Sequence, residues 1–353
     1  MKQLKEMLRL CRAHDSEGEK VFVKKFIAPR GAKTFSDSAG VPLAYAIEVG
    51  LGSKTLFCGH VDTMHPADAP LHQTVVYDAG SGMFYKDSQD TLPMPLGADN
   101  AAGCWLLLQM ISAGVPGTYL FHRGEERGGI GSRGMATHYA DFLKQFNYAI
   151  AFDRCGTNDV ITEMACGRTC SNVFAQALAD KLNTHGVQFD YAPDDTGSFT
   201  DTANYRRLIP ECTNVSVGYD YEHGPHETLD AFHLIALRNA VVAAFQTGGT
   251  GDTEALPVVR RVTDVDEPSR GFSWRGAQGY GGGEFPSYKE DYSNAIRWNE
   301  DGWSTDFCLT PRDATEVLSM KFKDLVKWAD AAHPEDIADL LMLLAEEVEY
   351  SKV

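Results

Sequence analysis

Thr55-Leu56-Phe57-Cys58-Gly59-His60-Val61-Asp62 is a short apolar run that stops at an imidazole, with a carboxylate two residues further on. An apolar run without polar alternation fits a strand covered on both faces, the kind found in parallel sheets flanked by helices. The pattern repeats along the chain. Thr118-Tyr119-Leu120-Phe121 is followed by Glu125-Glu126, and Tyr148-Ala149-Ile150-Ala151-Phe152 runs straight into Asp153. Between these runs, 100–112 carries Ala101, Ala102, Trp105, Leu106, Leu107, Leu108 and Met110 and reads as a buried helix; 131–146 reads as another. Further out, 2–14 suits an amphipathic helix, 43–49 a strand, and 74–86 a hairpin around Ala79-Gly80-Ser81-Gly82. Helices over 171–182 and 229–245 enclose a strand at 214–217. The expected fold class is α/β, a mixed, mostly parallel central sheet flanked by helices on both faces. His60, Glu125, Glu126 and Asp153 fall just past the C-terminal ends of strands, where open α/β sheets place their ligand sites.

The 353 residues suffice for one large domain plus a smaller appendage. Thr247-Gly248-Gly249-Thr250-Gly251-Asp252 reads as a linker, which divides the chain into a main domain, 1–252, and a C-terminal extension, 253–353. The extension is rich in Gly and aromatic residues up to 310, including Trp274, Tyr280, Phe285, Tyr288, Tyr292, Trp298 and Trp303, and then reads as two helices. It is expected to pack on the main domain or to form a dimer contact, since aromatic residues dominate cores and interfaces. With 32 basic against 49 acidic residues the net charge is −17, which argues against nucleic acid and anionic membranes as partners. No stretch approaches the ~20 apolar residues of a membrane span, and the N-terminus lacks the apolar run of a signal peptide. The eight cysteines form no CxxC pair. Scattered through apolar stretches, they read as reduced and buried, which points to the cytoplasm.

The polar residues at the strand ends carry the chemistry. Asp62 stands two residues after His60, close enough to orient the imidazole or its neighbours. Gly97-Ala98-Asp99-Asn100-Ala101-Ala102-Gly103 puts an acid at the mouth of a small-residue helix, where it caps the helix or bridges two cations. Glu125-Glu126 sits between glycines, and in an extended segment the two carboxylates would point in opposite directions. His223-Gly224-Pro225-His226-Glu227 offers two imidazoles, either of which suits a ligand. Two imidazoles, three carboxylates and a spare Glu make an oxygen and nitrogen donor set fit for two zinc ions sharing one carboxylate. Manganese or cobalt fits the same donors.

The order His60, Asp99, Glu125-Glu126, Asp153, His223 resembles that of the co-catalytic zinc exopeptidase superfamily, over residues ~40–250. Its members include the leucyl aminopeptidases, peptidase T, carboxypeptidase G and acetylornithine deacetylase. The resemblance implies that His60 and Asp153 bind one zinc, that Glu126 and His223 bind the other, and that Asp99 bridges both. It also implies a cis peptide between Asp99 and Asn100, Glu125 as general base and acid, and Asp62 as the support behind the ligands. His223 is chosen over His226 because relatives place the ligand histidine four residues before a glutamate, as His223 stands before Glu227. Relatives of the deacetylase type insert a lid or dimerisation domain of roughly a hundred residues, near the modal domain size. No room for one exists between Asp153 and His223, which favours the single-domain aminopeptidase branch. Gly197-Ser198-Phe199-Thr200-Asp201 then resembles a segment lining the substrate pocket, with Asp201 meeting the substrate amine or capping a helix. Arg154 suits a substrate carboxylate or an ion pair beside the acidic cluster, and His226 falls to the substrate pocket or the surface.

Three functions compete. The first is an aminopeptidase or small-peptide exopeptidase acting on peptides. The second is a deacylase of N-acyl amino acids using the same metals. The third is a non-catalytic interaction protein, disfavoured by the retention of both ligands and base. Assembly into a homo-oligomer is open to any of them.

Overall fold

The apolar runs become the strands of one eight-stranded sheet in the computed structural model, which describes residues 1–87, 93–186, 188–246 and 256–263. The strands are β1 (Lys33–Ser36), β2 (Pro42–Val49), β3 (Thr55–His60), β4 (Gly117–His122), β5 (Tyr148–Arg154), β6 (Asp159–Ile161), β7 (Ala192–Asp194) and β8 (Glu211–Ser216). Their order is β1-β2-β4-β3-β5-β8-β6-β7. The four central strands, β4, β3, β5 and β8, run parallel. β1, β2 and β4 pair antiparallel, as do β8 and β6. This is the mixed, mostly parallel α/β sheet expected from the continuous apolar runs.

Both faces of the central strands are covered, which is why those runs do not alternate. On one face Leu56, Cys58, Leu120, Ala149 and Ala151 pack with Met135 and Leu143 from the helices α4 (Ile130–His138) and α5 (Ala140–Leu143). On the other, Phe57 stacks on Tyr119 at 5.2 Å and meets Phe245 edge-on at 5.3 Å. Phe245 ends α7 (Ala231–Phe245), which packs against α3 (Ala98–Ser112) and α6 (Asn172–His185). Each such buried side chain contributes about 1.5–3 kcal/mol. α3 lies so close to β5 that a Cβ on Gly103 would sit 2.0 Å from the carbonyl oxygen of Phe152. Ser171 and Asp230 cap α6 and α7 by accepting the backbone N–H of Phe174 and His233.

Three element boundaries differ from the sequence reading, each because tertiary bonds outweigh periodicity. The expected helix over 2–14 stops early as α1 (Lys2–Leu8). Beyond it the backbone pairs with a distant segment, Cys11 N–H donating to Leu71 and Gln73 N–H to Arg9. Arg12, fully buried, then donates to three carbonyls, Val61 at 3.0 Å, Met7 at 2.8 Å and Gly97 at 3.1 Å. The expected 131–146 helix splits at Tyr139, whose hydroxyl donates to the Ser36 carbonyl at 2.6 Å. The 229–245 helix starts late because Thr228–Asp230 is a strand pairing with Met83–Lys86, half of the expected hairpin.

Of the extension, Leu256 to Arg260 lies at the N-terminal ends of the central strands β5 and β8. Glu211, fully buried at the start of β8, accepts the N–H of both Val259 and Arg260 at 2.8 Å, and the Arg260 guanidinium donates to the carbonyls of Pro210 and Arg206. The aromatic stretch and the two helices read from the sequence, and Cys308 with them, lie outside the described residues. Among the described residues every cysteine is free, and no helix is long and apolar enough to cross a membrane.

Candidate metal centre

Adjacent parallel strands deliver the first two donors. His60 closes β3 and Asp153 lies near the end of its neighbour β5. Asp99 enters from the first turn of α3, which is not helical there: Asp99 has ψ 103° and Asn100 ψ 46°, and the peptide between them is cis, as the resemblance implied. Glu126 comes from the turn after β4, and His223 from a loop in which it adopts a left-handed φ of 64°.

These five side chains converge. His60 Nε2 lies 2.9 Å from Asp99 Oδ1 and 3.2 Å from Asp153 Oδ1. His223 Nε2 lies 3.1 Å from Asp99 Oδ2 and 3.1 Å from Glu126 Oε2. Two sets of three donors result, each with its atoms within 4.8 Å of one another: His60, Asp99 and Asp153, then Asp99, Glu126 and His223. A pair of zinc ions fits them. The donors are oxygen and nitrogen only, one carboxylate faces both sets, and Glu126 Oε1 is buried without a hydrogen-bond partner. His60 Nδ1 donates to the carbonyl of Asp62 at 3.1 Å, which turns Nε2 toward the carboxylates.

Charge in the cluster is strongly redistributed. Burial pulls the Asp99 carboxyl upward, but hydrogen bonds from His223 and His60 outweigh it and hold it well below the usual range. Burial also opposes protonation of His223, yet Asp99 and Glu126 push it up to about 12. Burial first, then Asp99, raises Glu126 to about 7. Burial raises Asp153 to about 6, against the pull of His60. Glu125 is driven well above its ordinary value by burial, with Asp153 and Glu126 adding to it and His60 opposing. A buried set of acids this dense draws cations.

Asp62 orients the imidazole through its carbonyl and the neighbouring loop through its side chain. Its carboxylate accepts the backbone N–H groups of Gly124 at 2.8 Å, Glu125 at 3.2 Å and Glu126 at 3.3 Å. It fixes the loop carrying both glutamates. That loop is not extended, as the sequence reading had it: Gly128 and Gly129 N–H fold back onto the Glu125 carbonyl. Glu125 nonetheless faces the cleft beside Asp99 and Asp153.

Of the three substrate-pocket candidates, Arg154 alone lines the cleft. Its guanidinium is committed to Asp159 at 3.0 Å and Thr196 at 3.2 Å. Asp201 is 1% exposed, with Oδ2 3.1 Å from His122 Nδ1, and is outside the cleft lining. His226 is exposed and outside the cleft lining.

Four supporting residues escaped the sequence reading. Glu227, 1% exposed, accepts the N–H of Asp99 at 2.8 Å and of Gly97 at 2.7 Å. Asn100 Nδ2 donates to Asp153 Oδ1 at 2.7 Å, Thr200 Oγ1 to Asp153 Oδ2 at 2.8 Å, and Asn214 Nδ2 to the Asp153 carbonyl at 2.7 Å. Only Glu227 left a trace, as the glutamate four residues past His223.

Residues 52–246 match peptidase family M28. The fold resembles that of the aminopeptidase PepT from Bacillus cereus, at 14% identity and a TM-score of 0.51, covering 69% of this chain and 96% of that one. It equally resembles that of a tripeptidase from Staphylococcus aureus, at 16% identity and a TM-score of 0.51, with the same coverage of 69% and 96%. No curated protein matches the chain by sequence.

Proposed function

The chain belongs to peptidase family M28 and is a metallo-exopeptidase, and from that premise we propose that it is a two-zinc aminopeptidase releasing the first residue of a peptide. The observation that carries this reading is the placement of Asp99, with one carboxylate oxygen toward His60 and the other toward His223. In this reading His60 and Asp153 would hold one cation and Glu126 and His223 the other, with Asp99 facing both sets. Bound there, the pair would supply Lewis acidity toward the scissile carbonyl and make a water more acidic. Glu125 accepts a proton from the attacking water and passes it to the leaving amine. Burial raises its proton affinity, the direction that suits a general base. Asp62 keeps Glu125 and Glu126 in place through their N–H groups, and Asn100 and Thr200 keep the Asp153 carboxylate turned to its task.

A panel of aminoacyl reporter substrates and N-acetyl amino acids tests the reading. The metal-replete chain is expected to cleave the aminoacyl compounds and to require their free α-amine. Hydrolysis of the N-acetyl compounds alone would make it a deacylase.

A further inference from the structure

The cleft beside the ligand cluster opens to solvent. Its floor consists of groups already assigned to metal or proton transfer, among them Asp99, Glu125, Asp153 and His223. The walls are of two kinds. Half-buried Phe199, packed on buried Ile161 and Met164, makes a small apolar side. A carboxylate with no part in the cluster, Glu222, stands half-buried beside them, next to the Cys155 thiol. The one arginine in the wall is spent on Asp159, and among the described residues no cation lies within ion-pair distance of Glu222.

An uncompensated acid in the cleft wall, beside a small apolar face, matches a flexible methylene chain that ends in a positive charge. Building on the aminopeptidase reading, we infer that Glu222 selects substrates whose first residue is lysine or arginine. It receives the side-chain ammonium or guanidinium while the aliphatic stem lies on Met164 and Phe199. The net charge of −17 acts in the same direction, drawing cationic peptides toward the cleft.

The test compares kcat/KM for Lys-, Arg- and Leu-aminomethylcoumarin, using the full metal-replete chain and its Glu222→Gln variant. The Lys-to-Leu ratio does not depend on the fraction of active protein, so partial misfolding leaves it intact. The wild type is expected to favour Lys and Arg over Leu at least tenfold, and the variant to lose at least tenfold of that ratio. Free lysine should also inhibit the wild type at least tenfold more strongly than norleucine, a comparison that needs no variant. An unchanged ratio, or equal inhibition, overturns the assignment of Glu222 while leaving the aminopeptidase reading standing. A loss shared by every substrate would make Glu222 a site for the α-amine or a support for His223, and also overturns the assignment. If no aminoacyl substrate is cleaved, the underlying reading falls, and this inference with it.

Discussion

Glu227 clasps the backbone of Asp99: one carboxylate oxygen accepts the Asp99 N–H at 2.8 Å, and the other accepts that of Gly97 at 2.7 Å. The pair fixes the main chain from which the proposed bridging carboxylate projects. In Glu227→Gln an amide NH₂ must face one of those N–H groups. Metal affinity is expected to fall about 10–100-fold, the usual cost of losing an outer support. Unfolding of the metal-free protein should show about 1–3 kcal/mol lost as well. Calorimetric zinc titration and denaturant melts measure the two effects separately.

Glu125→Gln separates proton transfer from metal binding. The side chain keeps its shape and loses its basicity. Turnover is expected to drop by about 10²–10⁴, with metal content per chain equal to that of the wild type by elemental analysis. Undiminished turnover would remove Glu125 from the mechanism.

Asp62→Asn puts an amide donor among three backbone donors. The loop carrying Glu125 and Glu126 should loosen, lowering kcat about 10–100-fold, in line with lost outer support. The effect should appear in kcat rather than KM, because Asp62 is fully buried beneath the loop and touches no substrate.

Gly103→Ala tests the seating of α3 on the sheet. The added methyl meets the Phe152 carbonyl and the Asn100 side chain at 2.0 and 2.6 Å. Helix or strand must shift, at about 1–3 kcal/mol or more. A denaturation midpoint equal to the wild type would contradict the contact.

Two buried histidines set an acid limit on stability. Burial, aided by Arg12, lowers His65 from 6.5 to about 3, and burial lowers His233 from 6.5 to about 4. Each folded pKa lies below its unfolded value, so the unfolded chain takes up protons first. Their contribution is complete above pH 6.5 and is lost as pH falls toward 4, amounting to several kcal/mol, at about 1.36 kcal/mol per unit for each. Urea melts between pH 8 and pH 4 should show a shallower decline for His233→Gln than for the wild type.

Much of this architecture was legible in the linear chain because burial leaves a local signature. β3, β4 and β5 are continuous apolar runs, and each delivers an acid or imidazole at or just past its end. The five proposed ligands and Glu125 could therefore be named from order alone, given a family resemblance. What was hidden depends on the third dimension. The short strands β6 and β7, at one side of the sheet, have no apolar run to betray them. Asn100, Thr200 and Asn214 are ordinary loop and strand residues until the fold brings them to Asp153. For Asp201 and Arg154 the chain left two roles open, because a charged residue near a site in sequence is held by partners, His122 and Asp159, that spacing does not reveal.

Arg12 lies outside the span that matches the family, yet its guanidinium ties the Val61 and Gly97 carbonyls together, one just after His60 and one just before Asp99. The smallest autonomous enzyme is for that reason larger than the recognisable peptidase stretch. A fragment trimmed to 52–246 would retain every proposed ligand and lose the strut that spaces two of them.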